Sequence, residues 1–322
     1  MQPAFSDFRF GPHFDVAVAS RTGCGPAPRA ENQDNFVVID FDGRACHLQD
    51  QAPRRLTVPG WLQGHGRIAV LDGMGGHGHG REAAEAVAEG LLALPPCASL
   101  EELTGHLDAL HASLQRRFAQ APGVARPGTT LTMLELPAGG APLLYHVGDS
   151  RLYELAAGQA RPLTVDHVPA TAAAMAGKLD EAGWWRQVHG QHAPQIAQAF
   201  ILGNTFADPT RLSDSLYPLG ANKLPSWLGQ LPDRRALALR GDGVYLLATD
   251  GFWSCTQPET FVGSWAHLFD GCPDAACMVG RLFGAMEHDP PAGLQADNLT
   301  ALVLRPLPRH ADETALPDAG AD

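Results

Sequence analysis

Two apolar segments, TTLTMLEL (129–136) and PLLYHVGD (142–149), are joined by only the five residues PAGGA. A parallel connection needs a crossover of a dozen or more residues, so these two strands must pair antiparallel. A turn at Gly148-Asp149 is expected to fold SRLYEL (150–155) back again as a meander, which argues against an all-parallel sheet. Further extended runs bounded by Gly, Asp or Pro are FDVAVAS (14–20), NFVVID (35–40), RIAVLD (67–72), GVYLLATD (243–250) and LTALVLRP (299–306).

Helical spacing arrives in pairs. Ala84, Val87, Ala88 and Leu91 share one face over 81–94, and Leu103, Leu107, Leu110, Leu114 and Phe118 share one over 99–120. Ser99 with Glu102 forms a capping box at the start of the second. PETFVGSWAHLF (258–269) and PDAACMVGRLFGAMEH (273–288) form the other pair, each opened by proline. Strands grouped with strands and helices with helices predict an α+β sandwich. Between about 168 and 240 the pattern weakens, and Trp184, Trp185 and Trp227 read as exposed residues of a mixed flap. The polar tail 309–322 is expected to be disordered, leaving 1–308 as one domain.

With 23 Lys and Arg against 35 Asp and Glu, the net charge of −12 argues against a nucleic-acid or anionic-membrane surface. The six cysteines include no C-x-x-C pair and read as reduced thiols. No signal-like N-terminus or membrane-length apolar run is present, so a cytoplasmic location is expected.

The stretch VLDGMGGHGHG (70–80) formally contains G-x-G-x-x-G between a strand and a helix. A dinucleotide fold would return to a parallel strand, but Pro95-Pro96 and another helix follow; a P-loop would need Lys-Ser or Lys-Thr where GRE stands. His77 and His79 lack further ligands at zinc spacing and read as loop residues. Asp72 remains, at a strand end before glycines that let the backbone turn. The pattern repeats at Asp34, Asp149, Asp250 and Asp297, each beside an apolar run. One such aspartate commonly starts a turn; five are also the arrangement in which sheet ends converge on a hard cation such as Mg²⁺ or Mn²⁺.

Taken in order, RAENQDNFVV (29–38), VLDGMGGHGHG (70–80), GTTLTMLEL (128–136), YHVGDSRLYEL (145–155), LTVDH (163–167), LLATDGFW (246–253) and DNLTALVL (297–304) resemble the motifs of the bacterial metal-dependent serine/threonine protein phosphatases, the PPM or type 2C family. The resemblance implies a four-layer αββα sandwich, two central antiparallel sheets flanked by helix pairs, with two Mn²⁺ or Mg²⁺ ions at one end. It implies Asp34, Asp72, the Gly73 carbonyl, Asp250 and Asp297 as ligands of the pair, Asp149 as a ligand of a third, weaker ion, and Arg29 as the phosphate holder. The mechanism implied is direct attack by metal-activated water on phosphoserine or phosphothreonine, so Cys24 and Ser150 are not nucleophiles. Met74 stands where eukaryotic members carry a histidine, which leaves the leaving-group acid unassigned. A metal-bound water is the first candidate for it and His77 the second; Asp166 and His167 are candidates for bracing the site. The expected partners are phosphoproteins made by a serine/threonine kinase, and the rival reading is a catalytically weak or silent phosphoprotein-binding regulator of the same fold.

Overall fold

The computed structural model describes residues 4–23, 29–75, 79–119, 127–191, 193, 195–208 and 215–308. Cys24, His77 and the tail 309–322 therefore lie outside the described residues. In chain order the strands are β1 (Phe14–Arg21), β2 (Asn35–Ile39), β3 (Arg44–Gln49), β4 (Ala52–Thr57), β5 (Gly66–Leu71), β6 (Gly73–Met74), β7 (Gly128–Thr129), β8 (Leu131–Leu136), β9 (Leu143–Val147), β10 (Arg151–Ala156), β11 (Gln159–Pro162), β12 (Gln198–Ala199), β13 (Gly203–Asn204), β14 (Arg234–Ala236), β15 (Val244–Ala248) and β16 (Leu299–Pro306). The helices are α1 (His79–Ala93), α2 (Leu100–Ala119), α3 (Pro169–Met175), α4 (Glu181–Val188), α5 (Pro258–Leu268) and α6 (Ala275–His288).

Two large sheets result, ordered β1-β16-β15-β10-β11 and β14-β9-β8-β5-β2-β3-β4, with every pairing in them antiparallel. Alternate residues of each strand enter different cores. Phe36 and Val38 pack with Val16, Val18, Leu247 and Leu302 between the sheets. Their neighbours Val37 and Ile39 point outward to Val87 and Leu91 of α1 and Leu103 and Leu107 of α2. On the opposite outer face Ala301 and Val303 meet Trp265 of α5 and Val279, Leu282 and Phe283 of α6. Both faces of each sheet are covered, which explains why these strands read as continuous apolar runs rather than alternating ones. The layers run helix, sheet, sheet, helix, as the motif resemblance implied.

The expected meander is half correct. β8 and β9 pair as a hairpin, but β9 and β10 do not pair, because the chain leaves the seven-stranded sheet at Gly148-Asp149 and enters the other. Gly148 makes that step with φ +109°, and a Cβ there would stand 2.6 Å from the Thr130 methyl. The edge strand β4 was not legible, since APRRLT is largely exposed and carries Pro53, Arg54 and Arg55. Its hairpin turns through Asp50 and Gln51, both at positive φ without a glycine to signal it.

At α2 the cap forms as expected: Ser99 Oγ accepts from Glu102 N at 3.2 Å, and the Glu102 carboxylate reaches back to Ala98 N. At α6, by contrast, Asp274 rather than Pro273 is the cap, accepting from Cys277 N at 2.7 Å. The lobe that contains α3 and α4 has its own core of Val165, Trp184, Val188, Leu219, Leu224 and Leu228. Trp184 is thus buried, not exposed, and its indole donates to Thr171 Oγ1 at 3.0 Å; Trp185 and Trp227 are half-buried against it. The described cysteines are free thiols. Among the described residues no helix is long and apolar enough to cross a membrane.

Candidate active site

Antiparallel register brings the strand-end aspartates to one end of the sandwich. Asn35 pairs with Leu71, so Asp34, just before β2, and Asp72, just after β5, emerge side by side. In the other sheet Ala248 pairs with Ala301 and with Arg151, which places Asp250 beyond β15, Asp297 before β16 and Asp149 before β10 at that same end. Asp72, Gly73, Asp149, Asp250 and Asp297 line one pocket of about 510 Å³, with Arg29, Gln33 and Met74. Asp34 lies beneath it, 3% exposed.

Their electrostatics show how crowded this end is. Burial first, then repulsion from Asp297 and Asp250, pushes the Asp34 carboxyl up to about 8, although hydrogen bonds from Thr249 and Thr300 pull it down. Burial and four neighbouring aspartates push Asp72 well above the carboxylate range. Burial and Asp250 do the same to Asp149, and both raise Asp297 against the opposing pull of Arg29. Among the described residues no group of three or more His, Cys, Asp or Glu side chains is already drawn together as a metal-binding cluster. Mutually repelling carboxylates around an open pocket suit a cation that keeps part of its water shell, as Mg²⁺ and Mn²⁺ do, better than a closed zinc-type site.

Neutral side chains hold one of these carboxylates and the backbone beside the others. Thr249 donates to Asp34 Oδ2 at 2.8 Å, Thr130 Oγ1 accepts from Asp72 N at 2.9 Å, and Asn298 Oδ1 accepts from Gln33 N at 2.8 Å. Asn298 also donates to the Thr22 and Glu31 carbonyls, tying the segment before β2 to the segment before β16. Thr249, Asn298 and Thr130 stand inside the motif segments, yet nothing in the sequence alone distinguishes them from ordinary strand residues. Gly73 is required by space: a Cβ would lie 2.3 Å from the Gly80 carbonyl oxygen and 2.4 Å from that of Gln33. Gly73→Ala is therefore expected to cost about 1–3 kcal/mol by overpacking and to displace Asp72. Urea denaturation of the variant checks this, and a stability equal to wild type would contradict it.

Arg29 sits at the rim, half-exposed, with Nε donating to the Ala296 carbonyl at 2.9 Å and Nη2 3.0 Å from Asp297 Oδ1. Ser150 is fully buried and its hydroxyl pairs with Thr130 Oγ1 at 2.6 Å. Asp166 does not line the aspartate pocket. It accepts three hydrogen bonds from buried Arg151, whose guanidinium also donates to Tyr153 and to the Val188 carbonyl and stacks 4.4 Å over Trp253. His167 Nδ1 accepts from Gly148 N and Gln198 Nε2, so its Nε2 carries the proton and faces Asp233 at 3.6 Å. Burial holds this imidazole neutral, its pKa well below the ordinary value. Both residues join the lobe to the Gly148-Asp149 crossing.

No protein-family model matches the sequence. Over 103 residues, 31% of this chain, it is 35% identical to the serine/threonine protein phosphatase PstP of Mycobacterium tuberculosis, and the match spans 20% of that protein's length. The solved catalytic domain of PstP with two manganese ions superposes with a TM-score of 0.59 at 22% identity, covering 92% of this chain and 99% of that one. The serine/threonine phosphatase of S. agalactiae superposes with a TM-score of 0.62 at 20% identity, covering 91% and 99%. With helix pairs outside two antiparallel sheets and aspartates gathered at one end, the chain has the fold of the bacterial PPM serine/threonine phosphatases.

Proposed function

We propose that this chain is a metal-dependent protein phosphatase that hydrolyses phosphoserine and phosphothreonine. The observation that carries the reading is the convergence of five aspartates from strand ends of both sheets beside one rim arginine. Asp34, Asp72, Gly73, Asp250 and Asp297 would hold two cations, and Asp149 a third. The manganese pair in the PstP structure supports that assignment. Such ions, when bound, acidify water and neutralise phosphoryl charge.

The chain's own residues do the positioning. Arg29 engages its Nε and one Nη2 proton within the rim, which leaves further donors of the fork for phosphate oxygens. Thr249 fixes the Asp34 carboxylate, while Thr130 and Asn298 fix the backbone at Asp72 and Gln33, so the site is preorganised before substrate arrives. Met74 at the pocket wall cannot donate a proton; His77, outside the described residues, stays a candidate for that role.

The test is hydrolysis of p-nitrophenyl phosphate and of a phosphothreonine peptide. Stripping divalent ions with a chelator is expected to reduce both rates at least about a hundred-fold, because several kcal/mol of charge stabilisation is withdrawn, and Mn²⁺ or Mg²⁺ should restore them. Turnover indifferent to chelation would defeat the metal mechanism. Peptide binding without turnover at any metal concentration would favour the phosphoprotein-binding regulator.

A further inference from the structure

A second cleft of about 850 Å³ opens between the aspartate end and the lobe. It is continuous with the first pocket, because Asp149, Asp250 and Gln195 line both. Its floor is partly apolar, formed by Val168, Leu179, Val188 and Trp253, while Lys178 and Arg186 stand on its outer wall. Lys178 lies in the turn between α3 and α4, and Arg186 in the last turn of α4.

The charges in this cleft are unequally committed. Asp166 is ion-paired with Arg151, whereas Asp180 caps α4, accepting from Gly183 N at 2.8 Å, and keeps its charge. Lys178 and Arg186 are exposed, and among the described residues their side chains make no ion pair or hydrogen bond. Most of the chain's charge is negative, with a net −12 and only 23 Lys and Arg. Lys178 and Arg186 outnumber Asp180 on this side of the cleft and therefore form a local attractive field for anions beside the acidic pocket. The lining runs from Asp149 and Asp250 to Gly183, Arg186 and Gln187 of α4 and includes apolar side chains that can take apolar stems, which suits a peptide better than a lone phosphate.

We infer that this cleft seats the residues flanking the phosphorylated side chain, and that Lys178 and Arg186 select substrates with acidic residues there. The inference rests on the phosphatase reading and specifies its substrate class. The lobe supplies selectivity through charge at its wall, while the aspartate end remains indifferent to sequence.

The experiment uses the full chain with Mn²⁺ and fluorescent phosphothreonine peptides whose flanking positions are either glutamate or glutamine. Wild type is expected to favour the glutamate peptide by about three- to ten-fold in kcat/KM, carried by KM, as two exposed ion pairs allow. That preference should shrink at high salt. The double variant Lys178→Glu with Arg186→Glu should abolish or invert it; both residues are exposed, so folding is not at stake. Equal kcat/KM for the two peptides in wild type, or a preference retained by the double variant, would overturn the inference. Fluorescence anisotropy of the same peptides measures the same preference as a ratio of Kd values. Absence of Mn²⁺-dependent hydrolysis of p-nitrophenyl phosphate by wild type would instead count against the phosphatase reading, with the anisotropy ratio still deciding the cleft.

Discussion

Asp250→Asn is expected to lower Mn²⁺-dependent hydrolysis of p-nitrophenyl phosphate by on the order of 10²–10³-fold, since it withdraws one charge from a site worth several kcal/mol. The choice of Asp250 follows from its position. Its charge is a source of repulsion for Asp34, Asp72, Asp149 and Asp297 alike. It also begins the short helical turn after β15, where its carbonyl accepts from Trp253 N at 2.9 Å and from Ser254 Oγ at 3.0 Å. Asparagine preserves those backbone contacts and the side-chain shape but removes the charge. The metal-free variant should consequently melt at a higher temperature than metal-free wild type, because one repulsive centre is gone. Addition of Mn²⁺ should raise its Tm less, because stabilisation by a ligand follows its affinity for the native state. Thermal melts with and without Mn²⁺, run beside the rate assay, report both signs. A variant with wild-type rate and wild-type Mn²⁺ response would remove Asp250 from the proposed metal site.

The largest stability effect lies at a different place. Arg67 and Glu135 are both fully buried on neighbouring strands β5 and β8, paired in register. Arg67 donates to Glu135 through Nε at 2.6 Å and Nη2 at 2.8 Å, and to the carbonyls of Leu91, Leu94 and Pro95, so all five donors are used. It thereby caps the C-terminal end of α1, which has no basic residue in its last turn, and fastens that helix to the sheet. Glu135 also accepts from His65 Nε2 at 2.7 Å and from Cys97 N at 3.0 Å.

Glu135→Leu strands the guanidinium in the core and is expected to cost about 3–5 kcal/mol, a large part of the roughly 5–15 kcal/mol typical of a domain. Adding Arg67→Met should recover much of that loss, because the cost is an unpaired buried charge rather than lost packing. Urea unfolding of both variants measures it. A loss below about 1 kcal/mol for Glu135→Leu alone would show that Arg67 finds solvent or another partner. The pair also sets an acid limit. Burial opposes ionisation of Glu135, but the His65 hydrogen bond and Arg67 outweigh it and hold the carboxyl below 4.5. A depressed native pKa stabilises the fold at pH above 4.5, and the contribution is lost as pH falls through the native value. The Glu135→Leu variant should lack that part of the acid-dependent loss.

The two features differ in how far they show in the chain. Each of the five clustered aspartates stands at the boundary between an apolar run and a turn, a local pattern that can be seen without knowing the partner strand. Arg67 opens RIAVLD and Glu135 sits in TTLTMLEL, where each looks like a charge at a strand edge. Only pairing across 68 residues reveals that they satisfy each other. Trp184 illustrates the opposite error. It stands among Gly, Ala and charged residues, which suggests exposure, but Leu219, Leu224 and Leu228 from a later segment cover it.

By itself the sequence determined eight of the strands and the two outer helix pairs, the antiparallel hairpin of β8 and β9, and the residue types able to bind a hard cation or a phosphate. These follow from periodicity, turn chemistry and short connections, all acting over a few residues. Tertiary structure decided that the chain changes sheets at Gly148, that Asp34 and Asp297 meet although 263 residues separate them in the numbering, and that Lys178 and Arg186 border the same opening. Register between distant strands is set by burying both faces of two sheets at once, and no short stretch of sequence contains that condition.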